Sequence, residues 1–421
     1  MSFSSSSIIP SLIAAEQTRQ ENTINLIASE NYASAATRKA LSTLLSSKYA
    51  EGYPEARYYA GCAVMDAIES TAQQALLALF IPDASVREQY RANVQPHAGS
   101  IANLAVYQAL LQPGDTILSM TLNHGGHLSH GHPAHLVGKT YRIISYGVDP
   151  QTELISYEEV ARLAAEHRPR LIIAGASSYS RTIDFAAFNT IANSVQAYLL
   201  ADIAHIAGLI AAEQHPSPIG HADVITSTTH KTLRGPRGAF IISKKELSAA
   251  IDRSIIPGLQ GGPFMHVIAA QAIAYHEAGT PSFAHYISTV RATSLLLAKE
   301  LDAYGYHILS GGTDTHLLVI NLAKSSGCSE LTGKEAEARL EAVGIIVNRN
   351  VVPNDARPPR LTSGIRIGLA AMVTRGLQEK DIPELAALIH EGLQSLTTDL
   401  AIRTQTFARR FMLPQEKESA E

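Results

Sequence analysis

The sequence predicts an α/β fold: a mostly parallel central sheet in a large domain, followed by a smaller α/β domain. The first observation is a series of short apolar runs separated by longer mixed segments, several of which have a helical period. Strands that alternate with helices in this way are typical of βαβ units. The second is that 46% of the 421 residues are hydrophobic, which is enough for one large core or two adjoining ones. The predicted strands of the large domain are residues 116–120, 171–175, 198–201, 224–227 and 239–243.

Two helices are predicted before the first of these strands. In residues 66–80, Ala72, Leu76 and other apolar residues recur at a helical spacing. A second helix, over residues 101–111, begins after Gly99 and Ser100 and is ended by the Pro-Gly pair that follows it. The strand series begins after these two helices.

The chain is expected to divide into four parts. From about residue 265 a long helical pattern leads into a region with its own alternating strands, 316–322 and 344–348. The expected parts are an N-terminal arm with a helix (1–30), a large domain (31–277), a small C-terminal domain (278–413) and a disordered tail (414–421).

Composition excludes several classes of protein. Thirty-four basic and 38 acidic residues are interspersed and give a net charge of -4, which argues against nucleic acid or an anionic membrane as a partner. Cys62 and Cys328 are too few for a disulfide framework and lack zinc-ligand spacing. The apolar patch at residues 8–15 is too short to span a membrane. We expect a cytoplasmic protein that acts on small molecules.

Lys231 and Asp202 are the first candidate functional residues. Each follows or ends an apolar strand, and ligands of open α/β sheets bind at the carboxyl ends of strands. A lysine in this position suggests an amine that forms a Schiff base with a carbonyl, most simply that of pyridoxal phosphate. A carboxylate beside the pyridine nitrogen would keep that nitrogen protonated. The alternative for each residue alone is a solvated side chain at a strand end.

Three further segments could contact such a ligand. The helix start at Gly99-Ser100 suits a phosphate, because free N–H groups and the helix dipole converge there. The histidines at 124, 127, 130 and 132 could form a metal cluster, or one could stack on a flat ring; their spacing matches no standard zinc pattern. The turn 260–263 could present amides to an anion, although a purely structural turn is equally consistent with its sequence.

Eight segments occur along the chain in a recognisable order: 26–32 (LIASENY), 48–54 (KYAEGYP), 57–59 (RYY), 93–97 (NVQPH), 124–128 (HGGHL), 202–205 (DIAH), 229–237 (THKTLRGPR) and 362–366 (TSGIR). Such an ordered series is far more specific than any single glycine pattern. From about residue 20 to 400 it resembles the serine hydroxymethyltransferase family. That family consists of dimeric or tetrameric fold-type-I pyridoxal phosphate enzymes.

The resemblance implies a role for each cofactor residue. Lys231 would bind pyridoxal phosphate covalently, Asp202 would pair with the pyridine nitrogen, and His127 would stack on the ring. Tyr49 and Gly262 would come from the neighbouring subunit, so the family pattern implies a homodimer, or a tetramer, with shared sites. The remaining implied cofactor contacts are His205 and Ser177 at the phenolic oxygen, and Gly99, Ser100, His230 and Arg237.

The resemblance also implies substrate contacts and a reaction. Arg366 would bind the substrate carboxylate through a planar fork of donors. Glu51 would move the proton of the serine hydroxyl, Ser29 would contact the substrate, and Tyr58 and catalytic Tyr59 would close the pocket. The implied reaction transfers the hydroxymethyl carbon of serine to tetrahydrofolate and leaves glycine. The implied folate contacts are Leu122, Gly126, Leu128, Asn350, Pro358, Pro359 and Arg360.

Several positions depart from the family pattern. Ala98 and Ile101 replace a serine and a glutamine of the phosphate loop, which removes one or two contacts of about 0.5–1.5 kcal/mol each. The Gly-Thr-Pro-Ala that commonly follows the carboxylate-binding arginine is Gly-Leu-Ala-Ala at 368–371, so Leu369 and Ala370 replace threonine and proline. Arg360 replaces an aromatic residue of the folate segment. Folate is therefore the least secure of the implied ligands.

Three functions are consistent with these motifs. The first is serine hydroxymethyltransferase. The second is a folate-independent β-hydroxy amino acid aldolase or transaldolase of the same family, which would tolerate lost folate contacts. The third, a non-catalytic binding or regulatory homologue, is disfavoured because Lys231, Glu51 and Arg366 are all present.

Overall fold

The computed structural model describes the backbone of residues 5–414 and the side chains of residues 8–414. The described chain forms two compact units, one made of residues 31–288 and 352–354, the other of residues 5–30, 289–351 and 355–414. The domain boundary expected at residue 278 stays a prediction. The expected tail lies outside the described residues from 415 onwards.

The strands of the described chain form two main sheets and two short pairs. Predicted strand positions agree with the observed bounds to within one residue for all five strands that were predicted in the large unit. The strands are β1 Ile24–Asn25, β2 Gly52–Tyr53, β3 Ala56–Arg57, β4 Tyr90–Asn93, β5 Thr116–Met120, β6 Arg142–Tyr146, β7 Leu171–Gly175, β8 Tyr198–Asp202, β9 Val224–Thr228, β10 Ala239–Lys244, β11 His307–Ile308, β12 Leu317–Asn321, β13 Ile345–Ile346, β14 Asn348–Asn350 and β15 Gly364–Gly368.

Helices flank these strands, and the helix predicted from the pattern at 66–80 begins three residues earlier than expected. The α-helices are α1 Ser5–Glu21, α2 Ala35–Leu41, α3 Ala63–Phe80, α4 Ala84–Arg87, α5 Gly99–Leu110, α6 Leu136–Thr140, α7 Tyr157–His167, α8 Phe185–Ser194, α9 Ala207–Ala211, α10 Lys245–Arg253, α11 Met265–Ala278, α12 Pro281–Ala303, α13 Gly333–Ala342, α14 Ala370–Arg375, α15 Ile382–Gln394 and α16 Thr398–Arg409.

The central sheet of the large unit has seven strands in the order β4-β10-β9-β8-β7-β5-β6. The five strands from β9 to β6 are parallel, and β10 is antiparallel to both of its neighbours. This confirms the predicted α/β class with a mostly parallel sheet. Because β7, β8 and β9 are adjacent and parallel, the segments that follow them all leave from one edge of the sheet.

Burial explains why these strands were visible in the sequence. Strands β7 and β9 are buried at every residue; β7 is a continuous apolar run, whereas β9 begins with two apolar residues and continues with three buried hydroxyl residues. One hydrophobic cluster joins the sheet to α5 and α10, and includes Val106, Tyr107 and Ile251. This packing fixes α5 against the sheet, so that the N-terminus of α5 is held in place.

The other unit contains a four-stranded antiparallel sheet in the order β11-β12-β15-β14. Strand β1, from the N-terminal 30 residues, pairs in parallel with β13. Helix α13 packs against α15 and against strands of this sheet. The single strand expected at 344–348 is therefore two short strands, β13 and β14.

Arg375, at the end of α14, is 2% exposed and joins distant segments of the same unit. Its guanidinium donates to the carbonyl oxygens of Gln20, Glu21 and Thr23, over distances of 2.9–3.3 Å. It also donates to the carbonyl oxygens of Ala408 at 3.0 Å and Phe411 at 2.9 Å. An arginine with five donors can satisfy several orphan helix-end carbonyls at once.

Two expectations from composition can be compared with the described chain. Both cysteines are free thiols and buried. Within residues 5–414, no helix combines the length and the apolar character needed to cross a membrane.

Candidate active site

Lys231 lies in the turn that follows β9, at the carboxyl edge of the central sheet. The residue is only 8% exposed, and lysine side chains are rarely buried to this extent unless they are paired. Its carbonyl oxygen accepts a hydrogen bond from Asn31 Nδ2 at 2.8 Å and one from the Arg234 N–H at 3.1 Å. The turn that carries the amine is therefore held by its backbone.

Asp202 ends β8, the strand adjacent to β9, and is paired in register with Thr226. Gly175, at the end of β7, pairs with Asp202 on its other side. A Cβ atom at Gly175 would lie 2.4 Å from the Asp202 carbonyl oxygen, so this close approach requires glycine. The sheet thus places Asp202 and the segment after β9 side by side.

The carboxylate of Asp202 has two side-chain donors that were not predicted from the sequence. Oδ2 is 2.8 Å from His130 Nε2 and accepts from Asn103 Nδ2 at 2.8 Å, while Oδ1 accepts from the Ala204 N–H at 3.1 Å. Burial alone raises the pKa of Asp202, but the hydrogen bond from His130, with contributions from His127 and Asn103, lowers it by more. The pKa lies well below its usual range, so the carboxylate is ionised.

His127 is half-buried at the start of a short 3-10 helix, three residues before His130. Desolvation, followed by the nearby His130, lowers the pKa of His127 to about 4. The ring is therefore neutral at physiological pH, as suits a group that stacks on a flat aromatic ligand.

The other histidines of this segment have structural roles. His124 Nδ1 accepts from the Val148 N–H at 2.9 Å, and His135 Nδ1 accepts from the Val137 N–H at 3.3 Å. Among the described residues, no group of His, Cys, Asp or Glu is arranged to hold a metal ion.

Helix α5 begins beside the end of β9. A Cβ atom at Gly99 would lie 2.8 Å from Thr228 Cγ2, so glycine allows the helix start to approach the strand that leads to Lys231. Ala98 is the N-cap and makes no side-chain capping bond. Ile101 packs against the hydrophobic cluster beneath α5. The helix thus directs free N–H groups, with half-buried Ser100, toward this edge of the sheet.

Two cationic side chains, Lys231 and Arg237, lie near His230. His230 Nδ1 is buried and has no hydrogen-bond partner within the described chain. Desolvation, with the charges of Lys231 and Arg237, lowers the pKa of His230 to about 3. A buried polar atom without a partner, beside two cations, is an arrangement that an anion would satisfy.

Two further predicted cofactor residues lie at the same sheet edge. Ser177 follows β7, and its N–H donates to the Gly125 carbonyl at 2.6 Å, which joins this strand end to the histidine segment. His205 follows β8, is 5% exposed, and accepts from Thr232 Oγ1 at its carbonyl oxygen, at 2.9 Å. Both are therefore held at ends of neighbouring strands.

Glu51 precedes the short hairpin formed by β2 and β3, and Arg57 holds that hairpin. Arg57 Nη1 donates to the carbonyl oxygens of Ala50 at 2.9 Å and Gly52 at 2.8 Å, one on each side of Glu51. The Arg57 side chain, 3% exposed, also forms an ion pair with fully buried Glu69 at 2.6 Å. The backbone around Glu51 is thus fixed by a buried charge pair.

Tyr49 and Gly262, both expected to serve a neighbouring subunit, lie together in one chain. A Cβ atom at Gly262 would be 3.0 Å from Tyr49 Cε1. Tyr49 packs edge to face with Tyr59, with ring centroids 5.2 Å apart, and Tyr59 does the same with Tyr58. Exposed fractions of 43–81% leave these three tyrosines largely open in the single chain.

Arg366 lies in the other unit, on β15. Its Nε donates to Asn348 Oδ1 at 3.0 Å across the β14–β15 pair. Desolvation lowers the pKa of Arg366 to about 10, so it stays charged at neutral pH. Ser29, in the same unit, follows Ala28, and a Cβ atom at Gly368 would lie 2.4 Å from Ala28 Cα. Segment 28–29 therefore runs close to β15.

The predicted folate residues fall into two sets. In the large unit, Leu122 and Leu128 are 37% and 48% exposed on adjacent 3-10 turns, and Gly126 packs against the Met120 carbonyl. In the other unit, Asn350 ends β14, and residues 358–360 form an exposed turn closed by hydrogen bonds to the Pro358 carbonyl. Leu122 and Leu128 thus offer exposed apolar surface.

Leu369 and Ala370, which replace the threonine and proline of the family pattern, lie at the start of helix α14. Leu369 is the N-cap of α14, is fully buried and makes no side-chain capping bond. A Thr-Pro pair at these positions would supply a capping hydroxyl and a first-turn proline. The substitution therefore exchanges a helix cap for apolar packing.

A family model described as serine hydroxymethyltransferase matches residues 4–389. The chain belongs to the serine hydroxymethyltransferase family. Members of this family are fold-type-I enzymes that depend on pyridoxal phosphate. The seven-stranded, mostly parallel sheet agrees with that fold class.

The sheet edge that carries Lys231 fits the cofactor of this family. An ionised carboxylate at Asp202 suits a protonated pyridine nitrogen, and the neutral ring of His127 suits an aromatic partner. The N-terminus of α5 and the unpartnered Nδ1 atom of His230 suit a phosphate or another anion.

The sequence did not identify the residues that support the candidate site. Asn103 is a polar residue inside an apolar stretch of helix α5, which was the available signal. His130 was considered only as one of several histidines. Glu69 gave no signal, because a glutamate in an amphipathic helix is expected to face solvent.

Proposed function

We propose that this protein catalyses the reversible conversion of L-serine and tetrahydrofolate into glycine and 5,10-methylenetetrahydrofolate. The observation that carries the proposal is a family match over residues 4–389, on a chain in which buried Lys231 and ionised Asp202 lie at the ends of adjacent strands. The geometry of the single chain supports the following roles.

The cofactor would be held at the sheet edge of the large unit. Lys231 would supply the amine that holds pyridoxal phosphate. Asp202 favours the proton on the pyridine nitrogen, because its own carboxylate stays ionised. When bound, the cofactor supplies a ring that accepts the electron pair left as the Cα–Cβ bond breaks. His127 covers the ring, with Ser177 and His205 at the adjacent strand ends. We place the phosphate at Gly99, Ser100, His230 and Arg237, with Tyr49 and Gly262 from a partner subunit.

A cation would orient the substrate, and a carboxyl group would move its hydroxyl proton. Arg366 binds the serine carboxylate, which a planar guanidinium can do through two parallel hydrogen bonds. Glu51 moves the proton of the serine hydroxyl as the Cα–Cβ bond breaks, and Tyr58 and Tyr59 exclude water. Ser29 contributes a further polar contact.

We also propose a homodimer whose sites are shared. Three tyrosines exposed on one chain, with Tyr49 against Gly262, support this arrangement, because large exposed aromatic patches mark interaction surfaces. Folate would contact Leu122, Gly126 and Leu128, together with Asn350 and residues 358–360. The protein would work in the cytoplasm.

The test uses L-serine labelled with ¹³C at Cβ, with and without tetrahydrofolate. We expect the label to appear in methylenetetrahydrofolate and unlabelled glycine to form at a rate that depends on folate. Lys231→Ala should abolish both products. Lys231→Ala activity equal to wild type would contradict the proposed site.

A second candidate function is folate-independent cleavage of β-hydroxy amino acids. Arg360, an exposed cation where the family has an aromatic residue, favours it. In the same assay, brisk cleavage of allo-threonine with no transfer of label to folate would select this reaction over the first.

A further inference from the structure

Asn103 lies at the centre of a buried hydrogen-bond network behind Asp202 and His127. It is 1% exposed on α5. Its Nδ2 donates to Asp202 Oδ2 at 2.8 Å and to Ser129 Oγ at 2.9 Å. Its Oδ1 accepts from Thr226 Oγ1 at 2.6 Å. Because an ionised carboxylate can only accept, the amide must face Asp202 with its NH₂ group, and both amide hydrogens are used.

This orientation determines where the proton of Ser129 points. Ser129 Oγ accepts from Asn103, so its own hydrogen is available to His127 Nδ1, 2.7 Å away. The Ser129 N–H also points at His127 Nδ1, at 3.2 Å. With two donors directed at Nδ1, that atom must be an acceptor, and the proton of the neutral His127 ring resides on Nε2.

His130 has the same tautomer for a related reason. Its Nδ1 accepts from the His127 N–H at 3.3 Å, so its Nε2 carries the hydrogen that faces Asp202, at 2.8 Å. The two histidines and the aspartate are therefore linked by donors of fixed direction. Asn103 is the residue that contacts both branches, through Asp202 on one side and Ser129 on the other.

We propose that Asn103 is a positioning residue that couples the two sides of the cofactor site. Through one amide hydrogen it orients the Asp202 carboxylate, and through the other it directs the Ser129 hydroxyl so that His127 presents a neutral ring with its proton on Nε2. His127 therefore cannot take up a proton through Nδ1. The inference rests on the proposed function, in which Asp202 and His127 hold the cofactor.

The network predicts separable effects of two substitutions. Asn103→Ala removes both branches, whereas Ser129→Ala removes the His127 branch and leaves the Asn103 contact to Asp202. Loss of a hydrogen bond to a charged group weakens binding by about 10- to 100-fold. We expect Asn103→Ala to weaken binding of pyridoxal phosphate by that factor. Asn193→Ala, an exposed asparagine whose amide donates to Asn189 at 3.1 Å, is the matched control.

Two spectroscopic measurements report on the branches independently of turnover. The ¹⁵N shift of pyridine-labelled pyridoxal phosphate reports on the proton that Asp202 stabilises. The ¹⁵N spectrum of histidine-labelled protein, with His127 assigned by His127→Gln, reports on its tautomer, with or without cofactor. We expect Ser129→Ala to change only the His127 signals, Asn103→Ala to change both reporters, and Asn193→Ala to change neither.

The outcomes separate this inference from the proposed function. If wild-type protein binds no pyridoxal phosphate, the proposed function fails, while the cofactor-free His127 spectrum still tests the tautomer. Wild-type His127 with its proton on Nδ1 overturns the inference, as does a His127 signal unchanged in Ser129→Ala. If Asn103→Ala does not fold by circular dichroism, the Ser129→Ala spectrum alone decides.

Discussion

The buried pair of Arg57 and Glu69 gives the sharpest test of how the Glu51 hairpin is held. Replacement of Arg57 by methionine keeps an unbranched apolar chain of similar length but removes the guanidinium. Glu69, which has no exposed side-chain surface, would lose the partner that lies 2.6 Å away. The carbonyl oxygen of Ala50 would lose its donor, while that of Gly52 keeps Gln95 Nε2 at 3.0 Å.

The expected cost follows from these contacts. Removal of one partner of a buried ion pair costs about 3–5 kcal/mol, because the remaining charge is uncompensated. A buried carbonyl left without a donor adds about 1–3 kcal/mol. We therefore expect Arg57→Met to lower the free energy of unfolding by about 4–8 kcal/mol. The double variant Arg57→Met/Glu69→Gln should lose less, because no buried carboxylate remains.

The loss should depend on pH. Burial raises the pKa of Glu69 above its ordinary value of 4.5 despite the attraction of Arg57, and removal of Arg57 raises that pKa further. Between the unfolded and folded pKa values, the folded state binds a proton that the unfolded state does not. Stability therefore falls as the pH rises through this window. The deficit of Arg57→Met should be smallest near pH 4.5 and grow above it.

Urea denaturation at several pH values measures these differences. Wild type, Glu69→Gln and the double variant complete a thermodynamic cycle, whose coupling energy isolates the pair. If Arg57→Met is as stable as wild type, or if the double variant is less stable than Arg57→Met at every pH, the reasoning is refuted.

Three other predictions concern capping, substrate binding and catalysis. Ala98→Ser should stabilise the protein by about 1 kcal/mol, because Ala98 already has the extended backbone of an N-cap; calorimetry should show a midpoint about 1–2 °C higher. Arg366→Lys should raise the KM for serine at least about tenfold with a smaller change in kcat, because one ammonium cannot make both parallel bonds. Glu51→Gln should abolish serine turnover in a steady-state assay but leave the absorbance of the bound cofactor unchanged; a bleached variant would contradict its role.

The sequence revealed the strands that are buried along most of their length. Residues 171–175, inside the sheet, form a continuous apolar run. Strand β6 lies at the edge of the sheet, and only its last residue is buried. Its sequence therefore lacks a comparable apolar run. The β2–β3 hairpin is too short for any period to be visible.

The candidate site was predictable where local pattern and topology coincide. Lys231 and Asp202 follow strand ends, and the rule for open sheets brings strand ends together. Asn103 and Glu69 could not be predicted in the same way, because their roles come from contacts with residues distant in the chain. Asn103 meets Asp202 across 99 positions, and Glu69 meets Gln95 across 26.

The contacts of Arg375 have a consequence for the order in which the chain can mature during synthesis. Residues 31–288 are continuous and can leave the ribosome together, whereas the unit that contains Arg375 also includes the first 30 residues. Helix α1 is made before the donor for its terminal carbonyls, which follows 354 residues after Glu21. At about 5–20 residues per second, this interval is roughly 20–70 seconds. Throughout that time helix α1 lacks the side chain that satisfies its terminal carbonyls.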